Sequence, residues 1–140
     1  MVKKFVKRLI KFLKLGNDLK SMRKAILTGV SASIILFALW TISVISGYEV
    51  IIGSFGASIF LVLVAPKVEF SQPKNLMGGH LITALVGLTI FYFLGPEFWA
   101  LTISLGLSVT AMQVLRVSHP PAASNPLIIY ASSPDWTFFL

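Results

Sequence analysis

The residues that could do chemistry in this chain are one arginine, two histidines and several hydroxyl or amide side chains. Arg116 and His119 lie three positions apart, directly before two prolines, and His80 lies earlier in the chain. Cationic and neutral hydrogen-bond donors of this kind favour a small anion over a cation. The other polar candidates lie in or beside apolar segments: Ser54, Ser58, Ser118, Ser124 and Asn125. An arginine that ends an apolar segment can also extend its charge into water, so Arg116 alone does not define a site.

The run His119-Pro120-Pro121 must interrupt a helix. Two consecutive prolines remove two backbone donors and force extended geometry on the residues before them. A helix that restarts at Pro121 or Ala122 has proline in its favoured first turn. Its free N–H groups and positive end would then lie near His119 as an anion site. The alternative is a plain helix breaker beside a histidine that meets water.

The composition places these residues in a membrane protein. The chain has 140 residues, of which 56% are apolar and 12% charged, and its mean hydropathy is +0.85, whereas soluble domains are about a quarter charged. The net charge of +7 is concentrated, since most of the Lys and Arg residues lie between Lys3 and Lys24. A nucleic-acid-binding protein would carry such charge on a polar surface, so nucleic acid is not an expected partner.

Four apolar segments are expected to cross the membrane, which makes the fold class all-α and polytopic. Ala25–Ser46 is uncharged and, at about 1.5 Å per residue, long enough for a hydrocarbon core of about 30 Å. The others are Val50–Ala65, which is shorter and either spans or re-enters, Leu76–Leu94 and Trp99–Val117. Leu127–Ala131 is too short to cross and predicts a short interrupted or re-entrant segment after the proline pair.

Charges in the loops predict the orientation. The basic N-terminal segment, Lys67, Lys74 and Arg116 are expected in the cytoplasm, because basic loops stay inside. The loops at Glu49 and Glu97 carry no basic residue and are expected to face outward. The predicted location is therefore the inner membrane of the cell, with a cytoplasmic N-terminus and with both histidines near the cytoplasmic boundary.

The acidic residues disfavour a carboxylate relay. All five lie in predicted loops or at the ends of apolar segments: Asp18, Glu49, Glu69, Glu97 and Asp135. Proton pumps and sodium sites usually place Asp or Glu inside the membrane. The groups that remain inside are neutral or cationic, as an anion site requires.

Small residues occur at positions that bear on helix packing. Gly53–Ser58 is rich in glycine and serine, which either permit close packing or mark a broken helix along a substrate path. The segment Ala57–Ala65 also resembles Ala123–Ala131 in its small and apolar positions, and paired interrupted segments of opposite direction are typical of transporter repeats. Two pairs at four-residue spacing predict packing faces: Thr83 with Gly87, and Ser104 with Ser108.

Residues 2–15 predict a basic amphipathic helix. Apolar residues recur on one helical face, with lysines and one arginine opposite, and such a helix binds anionic lipids at a membrane surface. A secretory signal peptide is the competing interpretation, but the following apolar run exceeds an h-region of about 7–15 residues and no Ala-x-Ala site closes it. The expected organisation is a juxtamembrane segment, 1–24, and a transmembrane domain, 25–140.

The sequence lacks the motifs of common enzymes. It has no Gly-x-Ser-x-Gly elbow, no phosphate-binding loop and no His-Glu-x-x-His. Without cysteine, thiolate sites are excluded, and two histidines supply too few ligands for an obvious zinc site. We therefore expect no enzyme activity, no metal and no cofactor.

At these residues the sequence resembles the HPP family of small integral membrane proteins, named for a His-Pro-Pro motif. The matching blocks read GSFGAS at Gly53–Ser58, QPKN at Gln72–Asn75, GGH at Gly78–His80 and RVSHPPA at Arg116–Ala122, followed by Trp136. Their order and spacing over about Val50–Leu140 also resemble the family. Several of these motif residues are expected to be structural: Gly53, Gly56, Gly78, Gly79, Pro120 and Pro121.

The resemblance implies about four membrane helices and a transport function. Plant plastid members of the family have been linked to nitrite transport, so the resemblance implies nitrite as the substrate class. In this hypothesis Arg116 and His119 attract the anion at the cytoplasmic mouth, and His80 makes a second contact or accepts a proton. Ser54 and Ser58 would line the path from the outer side.

Two departures from the family pattern leave alternatives open. The first is Asn125-Pro126, which adds a proline after the motif and would change the helix that restarts there. The second is the region after Trp136, where family members usually continue into a further membrane span. A truncated family member is therefore one alternative. The others are a non-transporting accessory or structural membrane protein and a surface sensor that acts through the basic N-terminal helix. A bundle of four helices also allows a homo-oligomer.

Overall fold

The chain folds into helices joined by short turns. A computed structural model describes residues 19–47 and 53–132, together with Val6. Within residues 19–47 and 53–132 there are five α-helices and no β-strand: α1 (Leu19–Ser46), α2 (Ser54–Val64), α3 (Pro73–Leu94), α4 (Phe98–Val114) and α5 (Asn125–Ser132). Two 3₁₀ turns connect them, Glu69–Ser71 before α3 and Pro120–Ser124 before α5.

The helices coincide with the apolar segments of the sequence. α1 and α3 are long and apolar enough to cross a membrane, whereas α4 has 17 residues and α2 has 11. At about 1.5 Å per residue α2 covers about 16 Å, roughly half of a hydrocarbon core. The all-α class is thus confirmed, and the second apolar helix is short, as the sequence indicates.

Helix ends follow from proline and glycine. α3 has Pro73 in its first turn, where the missing N–H costs nothing. It ends at Gly95, whose φ of 81° is a conformation that glycine adopts readily and whose N–H donates to the Phe91 carbonyl at 2.9 Å. Pro96 follows, so the chain cannot continue as the same helix.

A tight cap ends α4 and turns the chain toward the proline pair. Arg116 has a φ of 54°, and its N–H donates to the Gln113 carbonyl at 3.1 Å. The N–H of Val117 donates to the Met112 carbonyl at 2.9 Å. This pair of bonds is a Schellman cap, in which the left-handed residue is usually glycine. The backbone of Arg116 is therefore what redirects the chain to His119.

α3 lies at the centre of the fold. It packs most extensively against α4 and also against α5 and the Pro120–Ser124 turn. Every fourth residue of α3 is buried along one stripe: Asn75, Gly79, Thr83 and Gly87. α4 has a matching buried stripe: Ala100, Ser104, Ser108 and Met112. The two packing faces predicted from the sequence are confirmed.

Two glycines of α3 let the proline segment approach the helix backbone. A Cβ added at Gly79 would lie 2.7 Å from the His119 Cβ, and one added at Gly78 would lie 2.8 Å from Val117 Cγ1. Neither distance is possible without displacing a neighbour. At Gly53 the nearest atom would be Ile128 Cδ1 at an ordinary 3.8 Å, and the position of Gly56 is open.

α1 lies at the edge. It packs mainly against α2, and none of its residues is buried. The predicted amphipathic helix at 2–15 lies outside the described residues except for Val6, which is helical and 42% exposed. Residues 48–52 and 133–140 also lie outside the described residues.

Candidate functional site

Five of the eight predicted site residues meet in one buried, hydrogen-bonded group, which we call the polar cluster. Together with Thr83, which the sequence indicated only as a packing residue, its members are Ser54, Ser58, His80, His119 and Asn125. His119 and Thr83 are fully buried, and Asn125 is 1% exposed. The sequence hypothesis placed the two serines on an outer path and the histidines inside, but the fold joins them in a single group.

The two short helices begin at the polar cluster. Ser54 is the first residue of α2 and Asn125 the first of α5. The Ser54 hydroxyl donates to Asn125 Oδ1 at 3.1 Å. The first turn of α2 and the start of α5 therefore adjoin, although 71 positions separate these residues.

The carboxamide of Asn125 has a fixed orientation. Its Nδ2 donates to the His80 carbonyl at 3.2 Å and to Thr83 Oγ1 at 3.0 Å. The same nitrogen lies 3.2 Å from His80 Nδ1. A carbonyl can only accept, so the amide nitrogen occupies this side. His80 Nδ1 is consequently an acceptor.

The imidazole of His119 is held at both nitrogens. Nδ1 lies 2.6 Å from the Phe70 carbonyl and Nε2 lies 2.8 Å from Ser58 Oγ. Because the Phe70 carbonyl accepts, Nδ1 carries the hydrogen. Nε2 of the neutral ring then accepts from Ser58. The His80 and His119 rings lie 5.2 Å apart between centroids.

Ser58 connects the two histidines. Its Oγ lies 2.8 Å from His119 Nε2, 3.1 Å from His80 Nε2 and 3.1 Å from the Ser54 carbonyl. One hydroxyl hydrogen thus has three groups within reach. The Phe55 and His80 rings pack nearly perpendicular to each other, with centroids 5.5 Å apart.

The turn between α2 and α3 presents the Phe70 carbonyl. Ser71 Oγ donates to the Ala65 carbonyl at 2.7 Å and to the Leu61 carbonyl at 3.2 Å, which ties the turn to the end of α2. Asn75 Nδ2 donates to the Ser118 carbonyl at 3.1 Å and ties α3 to the residue before His119. These bonds fix the carbonyl and the imidazole relative to each other.

Three predicted site residues lie outside the hydrogen bonds of the polar cluster. Arg116 is exposed, Ser124 Oγ donates to the Pro121 carbonyl at 2.8 Å within its own turn, and Ser118 contributes its backbone carbonyl to Asn75. The expected free donor after the prolines is also occupied, because the Ala122 N–H donates to the His119 carbonyl at 2.9 Å.

The polar cluster contains no fixed charge. Within residues 19–47 and 53–132, every Lys, Arg, Asp and Glu is exposed. An apolar pocket of about 280 Å³ adjoins the cluster and reaches Ser58. Its walls include Ile35 and Leu39 of α1, Phe55 and Ile59 of α2, and Leu76 of α3. A small molecule in this pocket would therefore meet an apolar surface, with Ser58 as the polar residue among those that line it.

Sequence reasoning assigned no site role to Asn75, Thr83 or the Phe70 carbonyl. A backbone carbonyl cannot be identified from residue type. The other two could have been found, because Asn75, Gly79, Thr83 and Gly87 recur at every fourth position, which places them on one helix face. Polar and small residues on a single face of an apolar helix indicate its buried side.

Comparisons with known proteins identify the family of this chain. The model of the HPP transmembrane region matches residues 17–140. A transmembrane protein of Dictyostelium discoideum is 36% identical over 84 residues, which cover 57% of this chain and 30% of that protein. A second transmembrane protein of the same organism is 32% identical over 87 residues, covering 59% and 28%. The chain thus spans less than a third of these relatives, and no solved structure matches it. With its motif residues gathered in one transmembrane-type fold and a family match over most of its length, the chain belongs to the HPP transmembrane region family.

Proposed function

We propose that this protein carries a small monovalent anion across the membrane and that nitrite is the first substrate to test. The observation that carries the proposal is the polar cluster, a group of two imidazoles, three hydroxyls and one amide in an apolar helical domain, of which all members but the half-buried His80 are buried. Polar groups inside membrane domains are costly and commonly mark substrate pathways.

Two features favour an anion over a cation. The polar cluster lacks a carboxylate, since the acidic residues in the described ranges are exposed. In addition, α2 begins at Ser54, a member of the polar cluster. Helix N-termini carry partial positive charge, and interrupted membrane helices direct them toward anionic substrates.

The proposed arrangement in the membrane has four crossings. α1, α3 and α4 would span, and α2 with the residues around it would form the short fourth crossing. The charge of the loops puts the N-terminus in the cytoplasm and the protein in the inner membrane. Residues 2–15 would bind anionic lipids, and the uncovered surface of α1 would accept a second copy of the chain.

The test is uptake of nitrite into liposomes that contain the purified protein, measured beside formate, nitrate and chloride. We expect uptake above that of protein-free vesicles and at least a tenfold loss in His119→Ala. Ser58→Ala removes a smaller group and should lose uptake as well. Ser33→Ala is the matched control, because Ser33 Oγ donates to the carbonyl of Gly29, four residues earlier, as Ser58 Oγ can to Ser54.

Folding and membrane insertion of each variant are checked by size-exclusion chromatography and vesicle flotation. Uptake that persists in both His119→Ala and Ser58→Ala would overturn the proposed site. No uptake of any anion by folded, inserted protein would favour the second candidate, a non-transporting accessory membrane protein. The absence of buried residues in α1 supports that candidate, since such a helix is available to a partner.

A further inference from the structure

We propose that the protein moves its substrate as a weak acid, one proton with each anion, and that His119 receives this proton through Ser58. The inference rests on the transport function proposed above and narrows its substrate class. Conjugate bases of small weak acids, such as nitrite and formate, would be carried, whereas nitrate and chloride, whose acids are strong, would not.

The resting hydrogen bonds of the polar cluster run in one direction. Asn125 Nδ2 has two hydrogens and three acceptors, and it shares one of these hydrogens with His80 Nδ1, while His80 Nε2 donates to Ser58 Oγ. The Ser58 hydroxyl donates to His119 Nε2, and His119 Nδ1 donates to the Phe70 carbonyl. Two backbone carbonyls impose this direction, because they can only accept. All four ring nitrogens are satisfied while both imidazoles are neutral.

The same atoms accommodate one additional proton. If His119 Nε2 gains a hydrogen, it donates to Ser58 Oγ, and the Ser58 hydroxyl rotates to the Ser54 carbonyl, 3.1 Å away. His80 Nε2 continues to donate to Ser58 Oγ. Each group keeps a partner and only a hydroxyl hydrogen turns. His119 and Ser58 thus form a site for one proton in which heavy atoms keep their positions.

His80 is less suited to hold the proton. A second hydrogen on His80 would sit on Nδ1, which faces Asn125 Nδ2 at 3.2 Å, and two donors would then oppose each other. Turning the amide would break its bond to the His80 carbonyl and direct Nδ2 at Ser54 Oγ. The orientation of Asn125 therefore directs the proton to His119.

The apolar pocket provides an approach for a neutral molecule. It reaches Ser58 between α1, α2 and α3, and it is large enough for an acid of three or four heavy atoms. An anion without a partner loses much of its hydration energy in such surroundings, whereas a neutral acid loses far less. The pocket thus favours the protonated form of the substrate.

The transfer step conserves atoms and charge. The acid O–H donates its hydrogen to Ser58 Oγ while the original Ser58 hydrogen passes to His119 Nε2. The O–H bond of the acid breaks, an N–H bond forms on His119, and the electron pair of the broken bond remains on the anion. The products are an anion and an imidazolium, and the reverse step at release restores neutral His119 and the acid.

The surroundings keep the proton and the anion together. Three groups face His119: the Ser58 hydroxyl from α2, the Phe70 carbonyl from the turn before α3 and the His80 ring from α3. The titratable group among these is His80, and the charged side chains of residues 19–47 and 53–132 are exposed. The substrate anion is thus the counter-charge of the His119 imidazolium, and net transport is electroneutral.

Nuclear magnetic resonance tests the hydrogen pattern independently of transport. The chain contains only two histidines, so a ¹⁵N-histidine spectrum in lipid nanodiscs shows four ring nitrogens, which a His80→Asn variant assigns. At a pH where both rings are neutral, we expect the Nδ1–H tautomer for His119 and the Nε2–H tautomer for His80. An Nε2–H tautomer at neutral His119 would overturn the relay, whatever the transport assays show.

Flux measurements test the stoichiometry. Liposomes with an internal pH dye are given ¹⁵N-labelled nitrite, and passive acid permeation in protein-free vesicles is subtracted. We expect one proton per nitrite, a rate that a potassium–valinomycin potential leaves unchanged, and nitrate and chloride rates at least tenfold lower. Ser58→Ala should lose both fluxes together, and Ser33→Ala should retain both.

The outcomes separate this inference from the broader proposal. Nitrite uptake that responds to membrane potential, occurs without proton uptake or is equalled by nitrate would overturn the weak-acid inference and leave anion transport standing. No uptake of any tested anion by folded protein would overturn both.

Discussion

α1 and α3 are both long apolar helices, yet they have opposite roles in the fold. None of the residues of α1 is buried, whereas α3 has six buried residues and contacts α4, α5 and both 3₁₀ turns. Apolar length shows that a helix can reside in lipid. The helix at the centre is distinguished by small and polar residues at four-residue spacing, because these permit close backbone approach and hydrogen bonding between helices.

The largest difference in stability between α1 and α3 is expected when a glycine of each helix is replaced. We expect Gly79→Ala to destabilise the protein by about 2–3 kcal/mol, because the new Cβ would lie 2.7 Å from the His119 Cβ. Gly29→Ala in α1 meets no atom within 4 Å and should stabilise by about 0.5–1 kcal/mol, since glycine weakens a helix interior. Equilibrium unfolding of the purified variants in mixed micelles measures both.

Equal effects at the two glycines would show that α3 is not packed against the proline segment as described. If the folded Gly79→Ala variant gave the same ¹⁵N-histidine spectrum as the unsubstituted protein, the conclusion would be the same, because His119 is the neighbour that the new Cβ must displace.

The threonines of α1 and α3 also differ in their partners. Thr83 Oγ1 donates to the Gly79 carbonyl at 2.8 Å and accepts from Asn125 Nδ2 at 3.0 Å, whereas Thr41 Oγ1 in α1 donates to the Phe37 carbonyl at 2.9 Å. We expect Thr83→Val to cost about 1–2 kcal/mol through the lost acceptor. Thr41→Val should stay within about 0.5 kcal/mol. The same unfolding measurement applies, and a loss at Thr41 as large as that at Thr83 would contradict the assignment of α1 to the edge.

The smallest effect is expected at Arg116. Its φ of 54° is costly for any residue with a side chain. Arg116→Gly should therefore leave stability unchanged or raise it by up to about 1 kcal/mol, because glycine removes the strain but adds freedom to the unfolded chain. Unfolding of Arg116→Gly and Arg116→Ala tests the cap, since alanine keeps the strain. Nitrite uptake by Arg116→Gly tests the predicted attraction of the anion, which would lower uptake although the cap is improved.

The helices and part of the site could be predicted from the sequence. Uncharged runs bounded by glycine, proline and charge located α3 and α4 to within three residues and the end of α1, since lipid requires such runs, but α1 begins at Leu19, six residues before the predicted Ala25. His80, His119, Ser54, Ser58 and Asn125 were identified as candidates because polar residues in apolar segments are uncommon. Their assembly into one group could not be predicted, because it depends on how the chain turns after α4.

Arg116 illustrates the limit of residue type as a guide. As a cation beside a histidine it indicated anion binding, yet the structure exposes its side chain and uses its backbone as a helix cap. The tautomer of His119 likewise depends on the Phe70 carbonyl, an atom that every residue possesses. For both Arg116 and His119, the path of the backbone determines the role of the residue more than the chemistry of its side chain does.

The order of the cluster residues along the chain has a consequence for biogenesis. During synthesis, the ribosome releases Ser54, Ser58, Phe70 and His80 before it releases His119 and Asn125. Until the later segment docks, the Ser54 hydroxyl lacks Asn125 and the Phe70 carbonyl lacks His119, the partners that they have in the finished fold, and unsatisfied polar groups are costly in lipid. The arrival of His119 and Asn125 therefore completes the site, and a chain interrupted between α4 and α5 would leave uncovered the side of α3 that α5 and the Pro120–Ser124 turn cover in the finished fold.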